Sequence, residues 1–362
     1  MWVLGWVLLL ISLGLLAVLL AWSRPGTPAP VLDAEGRPIA GSIAEKTRVG
    51  INGRDQGMIL KARDPAAPVL LYLHGGMPEY FLTQRYPTGL EDLFVVCWWE
   101  QRGAGLSFDP ARAREPVTLE QLIADTVEVT NYLRRRFGRD RIYLMGHSGG
   151  TFLATHVVAR APELYHAYIG VSQMSNQLRS EARTYEYMLG EYRRMGADRM
   201  VRRLQSAPVT MRDGVPDRYL AVRDTAMHRL GVGTMHDMRS FITGIFLESL
   251  RSRDYTLGEK LSLWRGKASS GVSSMWKEIL ATDLAERVPA VRVPVYFLHG
   301  LYDCTCSREE ALHYFDRLEA PLKGFYTFAH SAHSPMFEEP ARVREIMRLD
   351  VLAGTNRLAD GR

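Results

Sequence analysis

Ser148 is the residue of this chain whose surroundings most clearly indicate chemistry. It lies at the centre of the sequence Gly-His-Ser-Gly-Gly at positions 146–150, after the apolar run 141–145 and before the helix-forming segment 151–159. A strand that passes through Gly-x-Ser-x-Gly into a helix is a nucleophile elbow, in which a sharp turn exposes the serine hydroxyl at the carboxyl edge of a sheet. The spacing therefore predicts Ser148 as a catalytic nucleophile.

A serine hydroxyl is a weak nucleophile near neutral pH, so it needs a base, and the base needs a carboxylate that orients it. In this arrangement the acid and the histidine follow the serine along the chain. Residues 293–300 form an apolar run typical of a buried strand, and Asp303 follows that run directly. We expect Asp303 to be the acid, and the alternative is that it only caps a helix beginning near Ser307.

Two histidines follow the next predicted strand, 324–328, and compete for the role of base. His333 belongs to the sequence His-Ser-Pro-x-x-Glu-x-Pro, directly before a helix expected from about Glu338, and this position favours His333. His330 is then a loop histidine that packs or hydrogen-bonds locally.

An acyl-transfer enzyme also needs backbone N–H groups that stabilise the oxyanion of its tetrahedral intermediate. The N–H group that follows the nucleophile, that of Gly149, is the first candidate. His74-Gly75-Gly76 follows the buried run 69–73, and glycines let the backbone approach a substrate closely. We expect Gly76 to be the second donor, with an ordinary glycine turn as the alternative.

Five motifs in this order and spacing resemble the α/β-hydrolase superfamily: His-Gly-Gly at 74–76, Trp-Glu-Gln-Arg-Gly-Ala-Gly-Leu-Ser at 99–107, Gly-His-Ser-Gly-Gly at 146–150, Asp303 and His333. The resemblance covers about residues 40 to 350 and is strongest to the proline iminopeptidase-like branch. It implies an α/β fold with a mostly parallel doubly wound sheet, and a serine hydrolase that needs no metal or organic cofactor. The dehalogenase and epoxide-hydrolase branches carry aspartate in place of the serine, which argues against both.

The chain departs from that branch at three places. Met77-Pro78-Glu79 stands where the branch usually has Pro-Gly, Glu100 stands where it usually has aspartate, and Gly149 follows the serine where tryptophan is common. These departures keep the triad intact but leave the substrate open. We expect either an aminopeptidase that acts on short peptides with N-terminal proline or a carboxylic-ester hydrolase, and a ligand receptor without turnover is a third hypothesis.

Strands alternate with helices on both sides of the elbow, which predicts parallel β-α-β units in a doubly wound sheet. We expect a hydrolase core at residues 37–175 and 288–354, followed by a tail at 355–362. Residues 176–287 carry little strand pattern and are too long for a crossover, so they predict a helical cap over the active site. Helices are expected in the cap at 181–195, 200–205, 216–230, 235–250 and 275–284.

Glu181 lies near the start of the predicted cap. An aminopeptidase must desolvate the ammonium group of its substrate beside the scissile bond, which is unfavourable unless a carboxylate pairs with that group. Cap acids have this role in the resembling branch, so Glu181 is the candidate for substrate binding. The alternative is a solvated glutamate at the start of a helix.

Residues 2–22 contain no charged side chain. A helix of this length reaches roughly 30 Å, about the thickness of a bilayer core, and Trp2 and Trp22 lie at its two ends as interfacial anchors would. No basic residue precedes the run and no clean Ala-x-Ala site follows it, so a transmembrane anchor at 1–22 is favoured over a cleaved signal peptide. The Pro- and Gly-rich residues 23–36 predict a linker, and the side of the membrane that holds the catalytic domain stays open.

The chain has 362 residues and a net charge of +5, but its basic residues are scattered. The run Arg134-Arg135-Arg136 closes a predicted helix, where cations are favourable, so no nucleic-acid partner is expected. Cys304-x-Cys306 has no second ligand pair, so a metal site is not expected and free thiols are the simpler interpretation. The expected partners are a small-molecule or short-peptide substrate and a membrane, and the oligomeric state stays open.

Overall fold

The computed structural model describes residues 2–267 and 274–361. Its strands are β1 Ile43–Ile51, β2 Arg54–Ala62, β3 Val69–Leu73, β4 Val95–Trp99, β5 Ile142–His147, β6 Tyr165–Val171, β7 Val295–Gly300 and β8 Lys323–Phe328. They form one sheet in the order β1-β2-β4-β3-β5-β6-β7-β8. β2 is antiparallel to β1 and to β4, and the other neighbouring strands are parallel, as the alternating pattern predicts.

The α-helices begin and end close to the predicted positions in most of the chain. They are α1 Trp2–Trp22, α2 Leu119–Phe137, α3 Gly149–Arg160, α4 Gln177–Arg194, α5 Asp198–Gln205, α6 Asp217–Leu230, α7 Leu247–Arg251 and α8 Leu257–Lys267. Further helices span Trp276–Ala281, Leu284–Arg287, Arg308–Arg317, Pro335–Glu338 and Pro340–Ile346, and π-helical turns span Ile242–Phe246 and Met347–Val351. Short 3₁₀ turns span Tyr80–Gln84, Leu90–Asp92, Gly105–Ser107, Pro110–Arg112 and Pro162–Leu164.

The central strands β3, β4, β5 and β7 are continuous apolar runs whose side chains are buried. Burial along a whole strand is typical of parallel sheets, because other elements cover both of their faces. α2, α3 and the helix Arg308–Arg317 pack on one face, and the turn Tyr80–Gln84 and the helix Pro340–Ile346 pack on the other. The sheet therefore carries its loops, and with them the predicted catalytic residues, at one exposed edge.

α2 illustrates how local sequence fixes the helices that support this sheet. The Thr118 side chain accepts a hydrogen bond from the Gln121 N–H group, and the Gln121 side chain accepts one from the Thr118 N–H group, which is a capping box. Gly138 ends the helix with φ 59°, and its N–H group bonds the Arg134 carbonyl oxygen. The helix begins and ends where these residues predict it.

One helix of the predicted cap is shorter than expected. The helix predicted at 235–250 begins only at Phe241. The chain before it bonds to the core: the Val232 carbonyl accepts from the Cys304 N–H group at 3.2 Å, and the Gly233 carbonyl accepts from the His333 N–H group at 3.3 Å. These bonds hold the chain just before residue 235 against the core, and within the segment the His236 N–H group donates to the Glu338 carboxylate at 2.6 Å. Tertiary contacts therefore fix residues 235–240 in place of the predicted helix.

Other helices also differ from prediction, and α4 begins at Gln177, four residues before the expected start. The helix expected at 275–284 ends at Ala281, because the Asp283 side chain accepts from the Ala285 N–H group and starts a separate helical turn. The helix expected from about Glu338 begins at Pro335, and α8 was not predicted. Residues 268–273 lie outside the described chain, and whether 176–287 is a separate folding unit stays a prediction.

The N-terminal helix α1 is exposed along its length, and its segment Leu4–Trp22 has a mean hydropathy of 2.7. It is therefore long and apolar enough to cross a membrane, a property that a signal sequence shares. The end of α1 contacts the folded part of the chain. The Lys260 ammonium group donates to the Trp22 carbonyl at 3.0 Å, to Ser23 Oγ at 3.1 Å and to the Leu250 carbonyl at 2.6 Å.

Candidate active site

Ser148 lies at the tight turn between β5 and α3, with φ 55° and ψ −125°. A positive φ is strained for a residue that has a side chain. The turn is possible because glycines flank it: a Cβ at Gly146 would lie 2.6 Å from the Gly150 carbonyl oxygen, and a Cβ at Gly150 would lie 2.1 Å from the Leu73 carbonyl oxygen. The serine side chain faces a cavity, as an elbow requires.

Asp303 and His333 are hydrogen-bonded to each other. Nδ1 of His333 lies 3.0 Å from Oδ1 and 2.9 Å from Oδ2 of Asp303, whose carboxylate also accepts from the N–H groups of Thr305 and Cys306. Burial acts to raise the pKa of Asp303, but the charge and hydrogen bonds of His333 outweigh it and bring the pKa to about 2. The ionised carboxylate holds the Nδ1 proton, so Nε2 is the ring nitrogen that can accept another.

The backbone around His333 is held from several directions. Its carbonyl accepts from His147 Nε2 and from Ser172 Oγ, both at 2.8 Å. The half-buried Glu338 carboxylate accepts from the Ala332 N–H group at 3.0 Å and from the His236 N–H group of the predicted cap at 2.6 Å. The loop that carries His333 is therefore fixed both to the sheet and to the cap.

His330 is placed differently from His333. It is exposed, and its N–H group donates to Glu339 at 3.0 Å. It does not line the cavity that Ser148 faces. Of the two histidines, the structure therefore brings only His333 to Ser148.

The side chains of Ser148 and His333 line one cavity of about 210 Å³. Among the described residues, the His333 ring makes its hydrogen bonds through Nδ1 alone, so Nε2 is available on the cavity side. A bond between nucleophile and base is often long in a ligand-free enzyme and shortens when substrate binds. The shared cavity is thus compatible with proton transfer from the serine.

The two predicted oxyanion donors lie beside the elbow. Gly149 begins α3, so its N–H group has no partner within the helix, and Gly76 lies in the loop after β3. In residues 2–267 and 274–361, neither N–H group donates a hydrogen bond. A Cβ at Gly75 would lie 2.7 Å from the Ser148 Cβ, which shows how closely this loop approaches the serine. Their role as oxyanion donors stays a prediction.

A larger cleft of about 590 Å³ lies away from this site, beside the β1–β2 hairpin. Its walls include Arg54, Arg102 and Phe108 and contain none of the predicted catalytic residues. Volume alone does not identify a reactive site. The smaller cavity is the candidate active site because the predicted nucleophile Ser148, the predicted base His333 and Gly76 line it together.

Comparison with known proteins identifies the family of this chain. Residues 70–346 match the model of the alpha/beta hydrolase family, which is most of the chain. The chain belongs to the alpha/beta hydrolase family. The hydrolase is 31% identical over 304 residues to the probable aminopeptidase YbaC of Bacillus subtilis (strain 168), a match that covers 83% of this chain and 94% of that protein. The predicted superfamily and the prediction of an enzyme are confirmed.

Solved structures with low sequence identity share the fold of this hydrolase. The proline iminopeptidase of Mycobacterium smegmatis has a TM-score of 0.56 and 15% identity, over 84% of this chain and 96% of that one. A bacterial membrane phospholipase A has a TM-score of 0.58 and 17% identity, over 98% of each chain. At these identities the similarity shows the fold alone.

Glu181 of the hydrolase does not line the cavity, although it was expected to face the substrate. Its side chain is fully buried, and Arg223 donates to it through Nη2 at 2.6 Å and Nε at 2.7 Å. Gln177 and the Tyr219 hydroxyl donate to the same carboxylate. The carboxylate is therefore occupied by a cation of α6, and it is Arg223 that lines the cavity.

Glu79 is a cavity residue to which sequence reasoning assigned no role. Its Oε2 accepts from the Tyr72 hydroxyl at 2.5 Å and from His147 Nδ1 at 2.8 Å. Burial acts to raise the pKa of Glu79 and to lower that of His147, but their mutual attraction outweighs it, so the pKa of Glu79 is lowered and that of His147 is raised. The signal was visible in the sequence, because Glu79 belongs to the segment that departs from the resembling branch.

Cys304 and Cys306 lie beside Asp303. Among the described residues, no group of three or more His, Cys, Asp and Glu side chains is arranged to hold a metal ion. Cys304 and Cys306 are free thiols. Burial, with a contribution from Asp303, raises the pKa of Cys304 to about 12, so this thiol is protonated and a poor nucleophile.

Proposed function

We propose that this protein is a serine hydrolase in which Ser148, His333 and Asp303 form the catalytic triad. The observation that carries the proposal is the hydrogen-bonded Asp303–His333 pair, whose ring shares a cavity with a serine on a strained elbow. This is the arrangement that activates a hydroxyl by general-base catalysis. It requires no metal or organic cofactor.

The proposed reaction has two acyl-transfer steps. Ser148 Oγ attacks the acyl carbon while His333 Nε2 takes the hydroxyl proton, and the Gly76 and Gly149 N–H groups stabilise the oxyanion. The bond to the leaving group then breaks, and His333 returns the proton to that group. Water then attacks the acyl-enzyme while His333 takes its proton; the bond to Ser148 Oγ breaks, His333 returns the proton to Oγ, and the acid is released. Asp303 keeps the imidazole in its Nδ1–H tautomer and stabilises the imidazolium.

The substrate class that we propose is a short peptide with a free N-terminal amine, including peptides with N-terminal proline. Three observations support it: the identity to a probable aminopeptidase, the small cavity of about 210 Å³, and the Glu79 carboxylate in the cavity wall. Pockets for larger ligands are usually about 300–1,000 Å³. The cavity therefore suits a compact substrate.

A carboxylic-ester hydrolase is the second candidate. The cavity wall also contains the apolar side chains of Phe81, Met227, Phe241 and Ile245. Such a wall can hold a short acyl chain as well as a proline ring. The same triad would then release an alcohol instead of an amine.

We also propose that α1 is an uncleaved membrane anchor. The contact of Lys260 with the Trp22 carbonyl supports it, because a mature chain that began after residue 22 would lose this contact. The Arg251 guanidinium, 5.8 Å from the centre of the Trp22 indole ring, adds a second contact at the same place.

Substrate profiling tests the proposed function. Full-length protein in detergent would be assayed against dipeptides, aminoacyl p-nitroanilides and p-nitrophenyl esters, with Ser148→Ala as the control. We expect hydrolysis of the free-amine peptides and anilides. Turnover of esters alone would favour the second candidate, and no turnover of any class would contradict a serine hydrolase.

A further inference from the structure

Two ion pairs border the cavity of this hydrolase, and they present charges of opposite sign to it. The first pair is Glu79 with His147, and the second is Arg223 with Glu181. In each pair one partner lines the cavity and the other is buried behind it. The partner that lines the cavity determines the sign of the charge that a ligand contacts.

The first pair presents its anion to the cavity. The Glu79 side chain is 13% exposed, whereas the His147 side chain is fully buried. His147 Nε2 also donates to the His333 carbonyl, so both ring nitrogens meet acceptors and the ring is held as an imidazolium. Both recorded donors to Glu79 reach Oε2, and among the described residues none reaches Oε1. One carboxylate oxygen is therefore left for a ligand.

The second pair presents its cation to the cavity. The Arg223 side chain is 12% exposed and lines the wall, whereas the Glu181 carboxylate lies fully buried behind it. Asp224 lines the same wall, half-exposed, and contacts Arg223 Nη1 at 3.2 Å, which is a weak, solvent-screened interaction, so the two cations Arg223 and Lys267 outnumber the one carboxylate on this wall. The Lys267 ammonium group lines the same wall, over the Phe241 ring.

A small cavity with a negative group on one wall and a positive group on the other is complementary to a zwitterion. We propose that the hydrolase takes dipeptides with both termini free, with the ammonium group on Glu79 and the carboxylate on Arg223. This proposal rests on the proposed peptidase function and names the substrate class of the same site.

The order of groups in a dipeptide fits this assignment. Its α-amine is bonded to the carbon next to the scissile carbonyl, so the group that binds the amine must lie close to the oxyanion donors. Glu79 follows the predicted donor Gly76 by three residues in the same loop. The carboxylate lies on the leaving-group side, roughly 7 Å from the amine in an extended dipeptide, and Arg223 is on the wall that the cap segment contributes.

Binding to full-length Ser148→Ala protein tests the proposal without turnover. Calorimetry would compare L-prolyl-glycine with two analogues of nearly the same shape. Cyclopentanecarbonyl-glycine replaces the amine by a methylene group, and L-prolyl-glycinamide replaces the carboxylate by an amide. We expect each analogue to bind at least 10-fold more weakly than L-prolyl-glycine.

Variants then assign each charge to its residue. Glu79→Gln in the Ser148→Ala protein should abolish the preference for the amine and keep the preference for the carboxylate. Arg223→Gln combined with Glu181→Gln should do the reverse, and the double change avoids leaving a buried glutamate without its partner. Asp224→Asn removes the other carboxylate of the cavity wall, and both preferences should survive it if Glu79 holds the amine.

Three results would overturn the proposal: equal binding of L-prolyl-glycine and either analogue, retention of both preferences in both variants, or loss of both preferences in the Asp224→Asn control.

Failure of the proposed function gives a different result. If wild-type protein hydrolyses only esters while the binding preferences hold, the peptidase assignment fails and the charge assignment stands. If free-amine anilides are hydrolysed but L-prolyl-glycine shows no preference over its amide, the carboxylate site fails and the peptidase assignment stands.

Discussion

The two walls of the cavity are built in different ways. The wall carried by the sheet consists of Gly76, Ser148 and His333, each of which lies in a loop directly after a strand. The opposite wall consists of Arg223, Phe241 and other residues between β6 and β7, and no strand positions them. The sheet wall holds the groups proposed to do the chemistry, together with Glu79, whereas the opposite wall holds Arg223, which is proposed to bind the ligand carboxylate.

The walls also differ in what fixes them. Backbone geometry fixes the sheet wall: a strained serine, glycines that permit close approach, and a histidine loop bonded through its main chain. Side-chain charge fixes the opposite wall, because the buried Glu181 holds Arg223. The proposed carboxylate site therefore depends on a few side chains and not on the sheet, so it can change while the chemistry is kept.

The largest effect is expected in the sheet wall. His333→Ala removes the proposed base and should lower kcat/KM on the order of 10⁴-fold. His330→Ala is the matched control and should stay within a few-fold of wild type, because His330 is exposed and outside the cavity. The kcat/KM values of the two variants would be measured by steady-state kinetics on one ester or anilide. A dead His330→Ala variant beside a nearly active His333→Ala variant would exchange the two roles.

The next effect is a loss of stability in the opposite wall. Glu181→Gln leaves the Arg223 guanidinium without its buried carboxylate, and breaking such a pair should lower the free energy of unfolding by about 3 kcal/mol. Urea unfolding of full-length protein in detergent measures it. Arg223→Gln added to Glu181→Gln should recover part of the loss. A change below about 1 kcal/mol would mean that the pair does not hold this wall.

The free energy of unfolding should depend on pH through Glu338, whose carboxylate bonds the His333 loop to His236. Burial raises the pKa of Glu338 from 4.5 to about 7, although three N–H groups oppose the shift. Because the pKa is raised on folding, the contribution of the carboxyl group to stability is fully present below pH 4.5 and is lost as the pH rises toward 7. The free energy of unfolding of wild type, relative to Glu338→Gln, should fall by about 3 kcal/mol over that interval. A difference that is flat with pH would contradict this.

The smallest effect on catalysis is expected from α1, which lies outside both walls. Full-length protein should remain in the membrane pellet after carbonate extraction at high pH, because residues 2–22 form an uncharged helix long enough to span a bilayer. Intact mass should show that these residues are retained. Release into the supernatant, or a mature N-terminus after Trp22, would contradict the anchor.

The sequence predicts the sheet wall better than the opposite wall, for a physical reason. Parallel strands are short apolar runs with loops at one edge, so Ser148, Asp303 and His333 can be ordered from the pattern of strands alone. In the predicted cap the helix expected from residue 235 begins only at Phe241, because the chain before it bonds to the core loops at Cys304 and His333 and the His236 N–H group bonds the Glu338 carboxylate.

The sequence also does not predict which charged side chains pair with each other. Nothing in the pattern of α4 indicates that Glu181 meets Arg223, which lies 42 residues further along the chain. Glu79 and His147 are 68 residues apart and meet because β3 and β5 are neighbours in the sheet. The contact follows from the order of the strands. The sequence predicts a mostly parallel sheet but not which strands are neighbours in it.

Covalent labelling of Ser148 tests the central claim most directly. Full-length protein would be treated with a fluorophosphonate probe, and the modified peptide would be identified by mass spectrometry, with Ser148→Ala as the control. The account predicts one adduct on Ser148 in the wild type, slower labelling of His333→Ala, and no adduct at this site in the control. Equal labelling of wild type and Ser148→Ala, or an adduct on another residue, would contradict it.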